Sequence, residues 1–459
     1  MAGCFQSTFF MPGDAQFSLV TYAAVSCKLV VRLKISVIGT GYVGAITAAG
    51  LAKLGHDVVC VDVDKRKVDL INSKTPPIFE EGLPELLEEV VPSKLKATLD
   101  FALAVRNSEI TLICVGTPSA PDGSIDLSYI RSASAGIGAA LKGKPGFHVV
   151  VMKSTVVPGT SETVAAAEIG KASGKKAGKD FGMAMVPEFL REGKALEDFF
   201  SPDRIVVGTS DEKTRKILEG LFSSFSCPKL YVDVKTAEMI KYASNSFLAT
   251  KISFINELGN FCKTLGIDTY KVADGIGLDS RIGRKFLNSG CGFGGSCFPK
   301  DVSALQHLMK SKGFEPILLD SVMEVNRTQP LRMVDIAEKR AGGLSEKTVG
   351  VLGLAFKPGT DDVRDSPAIP IVETLLEKGA KIVAFDPEGM ENFKRKFASR
   401  IEYAKTAQEA IDKSDVVLLV TDWPAFNSLN YGSKSVIDGK NVLDYESRKK
   451  VKNYEGICW

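Results

Sequence analysis

The sequence predicts an α/β chain: two doubly wound domains joined by a long central helix and a small helical domain. Three observations carry this. A β-rich run at Lys34–Ile38 leads into Gly39-Thr40-Gly41-Tyr42-Val43-Gly44 and then into helical apolar spacing. Residues 236–265 contain no proline or strong breaker and read as one helix of roughly 45 Å. From Thr348 a second alternation of strand-like and helical stretches begins, which again implies a parallel sheet covered by helices.

Each element follows in order. Helical spacing over 45–54 closes at Gly55, and Val58-Val59-Cys60-Val61 forms a second strand ending in Asp62. Strand-like runs at 110–115 and 149–152 complete the signs of a Rossmann-like domain over residues 33–232. The central helical domain spans 233–332. Gly266 ends its long helix, and a second helix over 300–312 has Val302, Leu305, Leu308 and Met309 on one stripe. In the last domain, 333–459, strands are expected at 349–352, 381–385, 416–420 and 442–443. Its opening turn, Gly353-Leu354-Ala355-Phe356-Lys357-Pro358-Gly359, is not a second GxGxxG, and residues 449–459 show no clear element. Residues 1–32 read as an extension, either disordered or a mis-assigned start. They make a poor signal peptide and are too broken to span a membrane.

Composition narrows the function. The net charge is +3 from 58 basic and 55 acidic residues, too balanced for a general nucleic-acid binder. Nine cysteines without a C-x-x-C pair argue against a disulfide framework and a zinc site. The three histidines, His56, His148 and His307, make a histidine metal centre improbable. The chain reads as cytoplasmic, with no membrane or nucleic-acid partner.

Four constellations carry chemistry. Gly39, Gly41 and Gly44 open a helix after a strand, so a pyrophosphate can approach its N-terminus. Asp62 would bind ribose hydroxyls and favour NAD over NADP, a preference tempered by Lys65, Arg66 and Lys67. In Gly292-Phe293-Gly294-Gly295-Ser296-Cys297-Phe298-Pro299-Lys300-Asp301 the cysteine precedes a helix start. The helix dipole and Lys300 are expected to favour its thiolate. Lys241 and Asn245 share one face of the long helix, beside Glu238, Ser244, Ser246 and Asn256 in a polar seam. Ser154-Thr155 ends a strand, and Pro187-Glu188-Phe189-Leu190-Arg191-Glu192-Gly193 carries two acids four residues apart. Each of these two stretches alone reads as a turn or cap before it reads as a site.

With these pieces in order, the chain resembles the UDP-glucose/GDP-mannose dehydrogenase family, from about Leu33 to beyond Trp423. Further shared motifs are Val115-Gly116-Thr117-Pro118 and Phe356-Lys357-Pro358-Gly359-Thr360-Asp361-Asp362-Val363-Arg364. The ending Cys297-Phe298-Pro299-Lys300-Asp301 looks more like the UDP-glucose members than those acting on GDP-mannose, where leucine commonly follows the cysteine, and Ser296 stands where the UDP-N-acetylmannosamine members typically carry histidine. Val186 departs from the pattern, since asparagine usually precedes Pro-Glu-Phe.

The resemblance implies a four-electron oxidation of a UDP-sugar's primary alcohol to a carboxylate with two NAD. Lys241, Asn245 and a water held by Asp301 would serve the first oxidation. Cys297 would trap the aldehyde as a thiohemiacetal and then a thioester, hydrolysed by water near Glu188 with Thr155 and Asp301 assisting. Tyr42, Val43, Asp62, Lys67, Thr117, Thr155, Glu192, Lys300 and Arg364 would join the glycines at NAD. Glu188, Phe189, Leu190, Arg191, Glu192, Lys241, Asn245, Phe286, Leu287, Asn288, Ser289, Gly290, Gly294 and Lys357 would line the UDP-sugar site. Arg281 would reach the hexose of a neighbouring subunit, and the long helix would form a homodimer core. A two-electron hydroxyacid dehydrogenase is the rival enzyme class, and it leaves Cys297 idle.

Overall fold

The computed structural model describes residues 32–459, so all but the last residue of the expected extension lies outside it. The first sheet contains β1 (Lys34–Ile38), β2 (Asp57–Val61), β3 (Leu95–Thr98), β4 (Ile110–Ile113), β5 (Val149–Met152), β6 (Gly182–Met185), β7 (Ile205–Thr209) and β8 (Lys229–Val232). Their spatial order is β3-β2-β1-β4-β5-β6-β7-β8. All neighbours are parallel except β6 and β7. The strands β1, β4 and β5 are apolar on both faces because helices cover both. Val37, Leu112 and Val151 pack on one side, and Ile38, Ile113 and Met152 on the other. Winding reverses between β1 and β4, which opens a crevice at the strands' carboxyl ends.

The long helix runs Val234–Thr264, started by the Asp233 carboxylate accepting from the Thr236 amide. It packs on β7 and on the helices Phe298–Ser311 and Ile317–Thr328. The expected polar seam is real, and part of it is architectural. Buried Glu238 accepts from the Gly159 and Ser161 amides at 2.5 and 2.8 Å, and Asn256 accepts from the Gly290 amide at 2.7 Å.

The second sheet contains β9 (Thr348–Leu352), β10 (Lys381–Phe385), β11 (Glu402–Tyr403), β12 (Val416–Leu419), β13 (Ser435–Asp438) and β14 (Asn453–Gly456), in the order β11-β10-β9-β12-β13-β14. Two expectations fail here. Residues 442–443 are a loop, because the Val442 and Leu443 amides bond to the Asp438 carboxylate rather than to a neighbouring strand. Residues 449–459 are structured: β14 pairs with β13, Ile457 and Cys458 are buried, and the Trp459 indole donates to the Tyr454 hydroxyl at 2.9 Å. Among the described residues no helix is long and apolar enough to cross a membrane.

Candidate active site

The glycine turn lies at the carboxyl end of β1. A Cβ on Gly44 would stand 1.9 Å from the Gly39 carbonyl oxygen, so only glycine lets the helix Tyr42–Lys53 pack that close. A Cβ on Gly41 would meet nothing, and neither a capping side chain nor an acid occupies the helix's first turn. Its free amides and open face suit a diphosphate. Asp62 ends the next strand, held by the Thr40 amide at 2.8 Å and the Thr40 hydroxyl at 2.6 Å, with Lys67 at 3.9 Å. The Tyr42 hydroxyl donates to Glu80, whose carboxylate also accepts from the Gly193 amide at 2.7 Å. The cradle is thereby tied to the Glu188–Glu192 loop.

That loop forms one wall of a cavity of about 640 Å³. Lys241 and Asn245 project into it from the long helix, Cys297 from the glycine loop, and Lys357 from the second α/β unit. The Lys241 ammonium lies 2.8 Å from Glu188 Oε1, with both side chains almost fully buried. Glu188 Oε2 accepts from the Leu190 amide at 2.7 Å. Asn245 Nδ2 donates to Asp301 Oδ2 at 2.6 Å, and Lys300 Nζ reaches Asp301 Oδ1 at 2.5 Å. Ser296 links the rest: its hydroxyl is 3.0 Å from Glu192 Oε1 and 3.6 Å from the Cys297 sulfur.

Burial works against the Lys241 ammonium, but Glu188 and then Cys297 and Asp301 outweigh it and raise its pKa. Glu188 is held below the usual carboxylate range: burial opposes its charge and Lys241 overcomes that. Burial, with the Asp362 carboxylate beside it, pushes Glu192 up to about 7. The expected thiolate at Cys297 is not found. The cysteine does cap the helix Phe298–Ser311, yet burial pushes the thiol up to about 11 and Lys241 offsets this only in part. Lys300 is committed to Asp301 instead.

Three domain models of the UDP-glucose/GDP-mannose dehydrogenase family match the chain: the NAD binding domain over 33–226, the central domain over 235–328 and the UDP binding domain over 350–445. The chain belongs to this family. It is 44% identical over 431 residues to the UDP-glucose 6-dehydrogenase AglM of Haloferax volcanii, covering 90% of this chain and all of AglM. The solved UDP-glucose dehydrogenase of Pyrobaculum islandicum superposes with a TM-score of 0.90 at 43% identity, covering 94% of this chain and 99% of that one. The GDP-mannose dehydrogenase of Pseudomonas aeruginosa gives 0.55 at 38% identity, covering 93% of this chain and all of that one.

Within the family frame, the cavity gathers Glu188 through Glu192, Lys241, Asn245, Phe286, Gly294, Cys297 and Lys357. Asp301 and Lys300 stand behind Asn245, and Arg364 reaches Glu192 at 3.9 Å. Thr117 is buried near the end of β4, and Thr155 follows β5 without lining the cavity. Four expected substrate residues lie elsewhere. Leu287 packs on Ile255 and Ala273, Asn288 accepts from Arg284 at 2.7 Å, Ser289 is buried, and Gly290 abuts the Gly439 carbonyl. Arg281 is exposed, paired with Asp279 at 2.6 Å, and outside the cavity of its own chain. Three cavity-lining cations escaped the sequence reading: Lys153, one residue past β5, Arg204, stacked 3.9 Å over the Phe189 ring, and Lys285. Lys153 directly precedes Ser154-Thr155, so the end of an apolar strand was its available signal.

Proposed function

We propose that this chain oxidises UDP-glucose to UDP-glucuronate: R–CH2OH + 2 NAD⁺ + H2O → R–COO⁻ + 2 NADH + 3 H⁺. The carrying observation is that Cys297 shares one cavity with the Lys241–Glu188 ion pair and with Asn245 on Asp301. The similarity to UDP-glucose dehydrogenases supports the choice of sugar.

NAD, held at Gly39–Gly44 and Asp62, supplies the acceptor for both hydrides. Lys241 and Asn245 steady the alkoxide that forms when the hydroxyl loses its proton, and the carbon becomes an aldehyde as hydride leaves. The Cys297 sulfur adds to that carbonyl and its proton passes to the carbonyl oxygen, whose developing negative charge the same two donors steady. Loss of the second hydride leaves a thioester. Water then attacks the acyl carbon, the C–S bond breaks, and the released thiolate is protonated near Lys241. Glu188 takes the water's proton. A covalently held aldehyde does not escape.

Two measurements test this. UDP-glucose should yield two NADH per sugar, and a yield of one would favour the hydroxyacid rival. Cys297→Ser should lose steady turnover by about a thousandfold or more; undiminished turnover, or a strong preference for GDP-mannose or UDP-N-acetylmannosamine in a substrate panel, defeats the reading.

The reading takes residues 33–232 as the cofactor domain, 233–332 as a dimerisation domain and 333–459 as the UDP-sugar domain. Phe247, Phe254 and Phe261, seven residues apart on the long helix and each more than half exposed, support a homodimer along that face. The seven described free cysteines suit the reducing cytoplasm.

A further inference from the structure

Lys153 is a cation in the cavity wall with no role assigned so far. It follows the last residue of β5 and lines the same cavity as Glu188 and Lys241. Among the described residues it has no carboxylate in ion-pair contact. Cys114, its neighbour from the end of β4, offers no counter-charge, since burial pushes that thiol up to about 12. An ammonium placed this way costs stability unless it serves something.

The need arises at Lys241. In the ligand-free chain Lys241 donates to Glu188 at 2.8 Å, whereas in the proposed chemistry it must donate to the reacting oxygen. Glu188 cannot follow, because its other oxygen is fixed on the Leu190 amide. A buried carboxylate losing its counter-ion would take up a proton or hold the lysine back. The groups around Glu188 are Lys241 from the long helix, Lys153 from the end of β5, Cys114 from the end of β4 and Cys297 from the glycine loop. Of these only the two lysines can carry positive charge; burial lowers the Lys153 pKa, and the Glu188 carboxylate works against that.

We propose that Lys153 is a positioning residue whose ammonium keeps Glu188 a carboxylate while Lys241 turns from Glu188 to the substrate oxygen. This rests on the dehydrogenase reading and deepens it: the acid that activates water is held ready by a second lysine.

The test uses the full chain and four variants: Lys153→Met, Lys153→Arg, Glu188→Gln and the double variant Lys153→Met/Glu188→Gln. Turnover of UDP-glucose is followed between about pH 5.5 and 9. Without the Lys153 charge the Glu188 carboxyl titrates higher, so the acid limb of kcat should move up by about one pH unit. At pH values below the limb this is a loss approaching tenfold in kcat, with KM for UDP-glucose changed less than about twofold. Lys153→Arg should restore the wild-type limb, and in the Glu188→Gln background Lys153→Met should have no further effect on the pH profile. Equal shifts in both backgrounds, an unmoved limb, or a rise in KM alone would overturn the proposal. If Lys153→Met folds poorly by thermal melting, the arginine variant decides: a displaced limb overturns the proposal and a coincident one supports it. The wild-type NADH yield, measured first, tests the dehydrogenase reading separately.

Discussion

The Cys297 sulfur lies 3.6 Å from the Ser296 hydroxyl at the head of its helix, and two influences compete there. Removal from water raises the thiol to about 11, while the Lys241 ammonium pulls the other way. Carboxymethylation of residue 297 in the ligand-free enzyme, followed by mass spectrometry, should therefore keep accelerating up to about pH 10 instead of levelling near pH 8. A plateau at neutral pH would show a thiolate already formed. The sequence displayed the cysteine, the helix start and the lysine near it. It did not display that Lys300 would be spent on Asp301, nor that burial would dominate. Glu192 has the same character: its motif was legible, but burial, and then Asp362 from another domain, raise its carboxyl to about 7.

Among elements, the glycine loop is the least tolerant. A Cβ on Gly294 would stand 2.1 Å from the Asp365 carbonyl oxygen, so backbone would have to move. Gly294→Ala should cost about 2 kcal/mol in urea unfolding and, by displacing Cys297, at least tenfold in kcat. Unchanged values for both would mean the loop yields easily. The long helix was readable because its 31 residues, more than eight turns, contain no proline. The strands β13 and β14 were not, being four residues each and polar in part, as in Asn-Tyr-Glu-Gly. The apolar pair Val442-Leu443 imitated a strand because Leu443 is buried from a loop.

Across the whole molecule, the exposed Phe247, Phe254 and Phe261 form a face that the chain itself leaves uncovered. Phe254→Asp should halve the mass seen by sedimentation equilibrium and reduce turnover if Arg281 completes a neighbour's site. An unaltered mass would remove the helix from the interface. The two-sheet plan was legible from alternation alone, but the strand reversal at β7 was not. That reversal sets where the helix bearing Lys241 begins. The chain leaves β8 at Val232, level with the carboxyl end of β6 through Gly208 and Met185, and continues as a rigid rod, so Lys241 arrives about 12 Å along the axis from Asp233. The rod acts as a ruler with a phase. Deleting one peptide unit between Asp233 and Lys241 would lower the ammonium by about 1.5 Å and swing it by about 100°, so catalytic alignment is encoded in a residue count far from the chemistry.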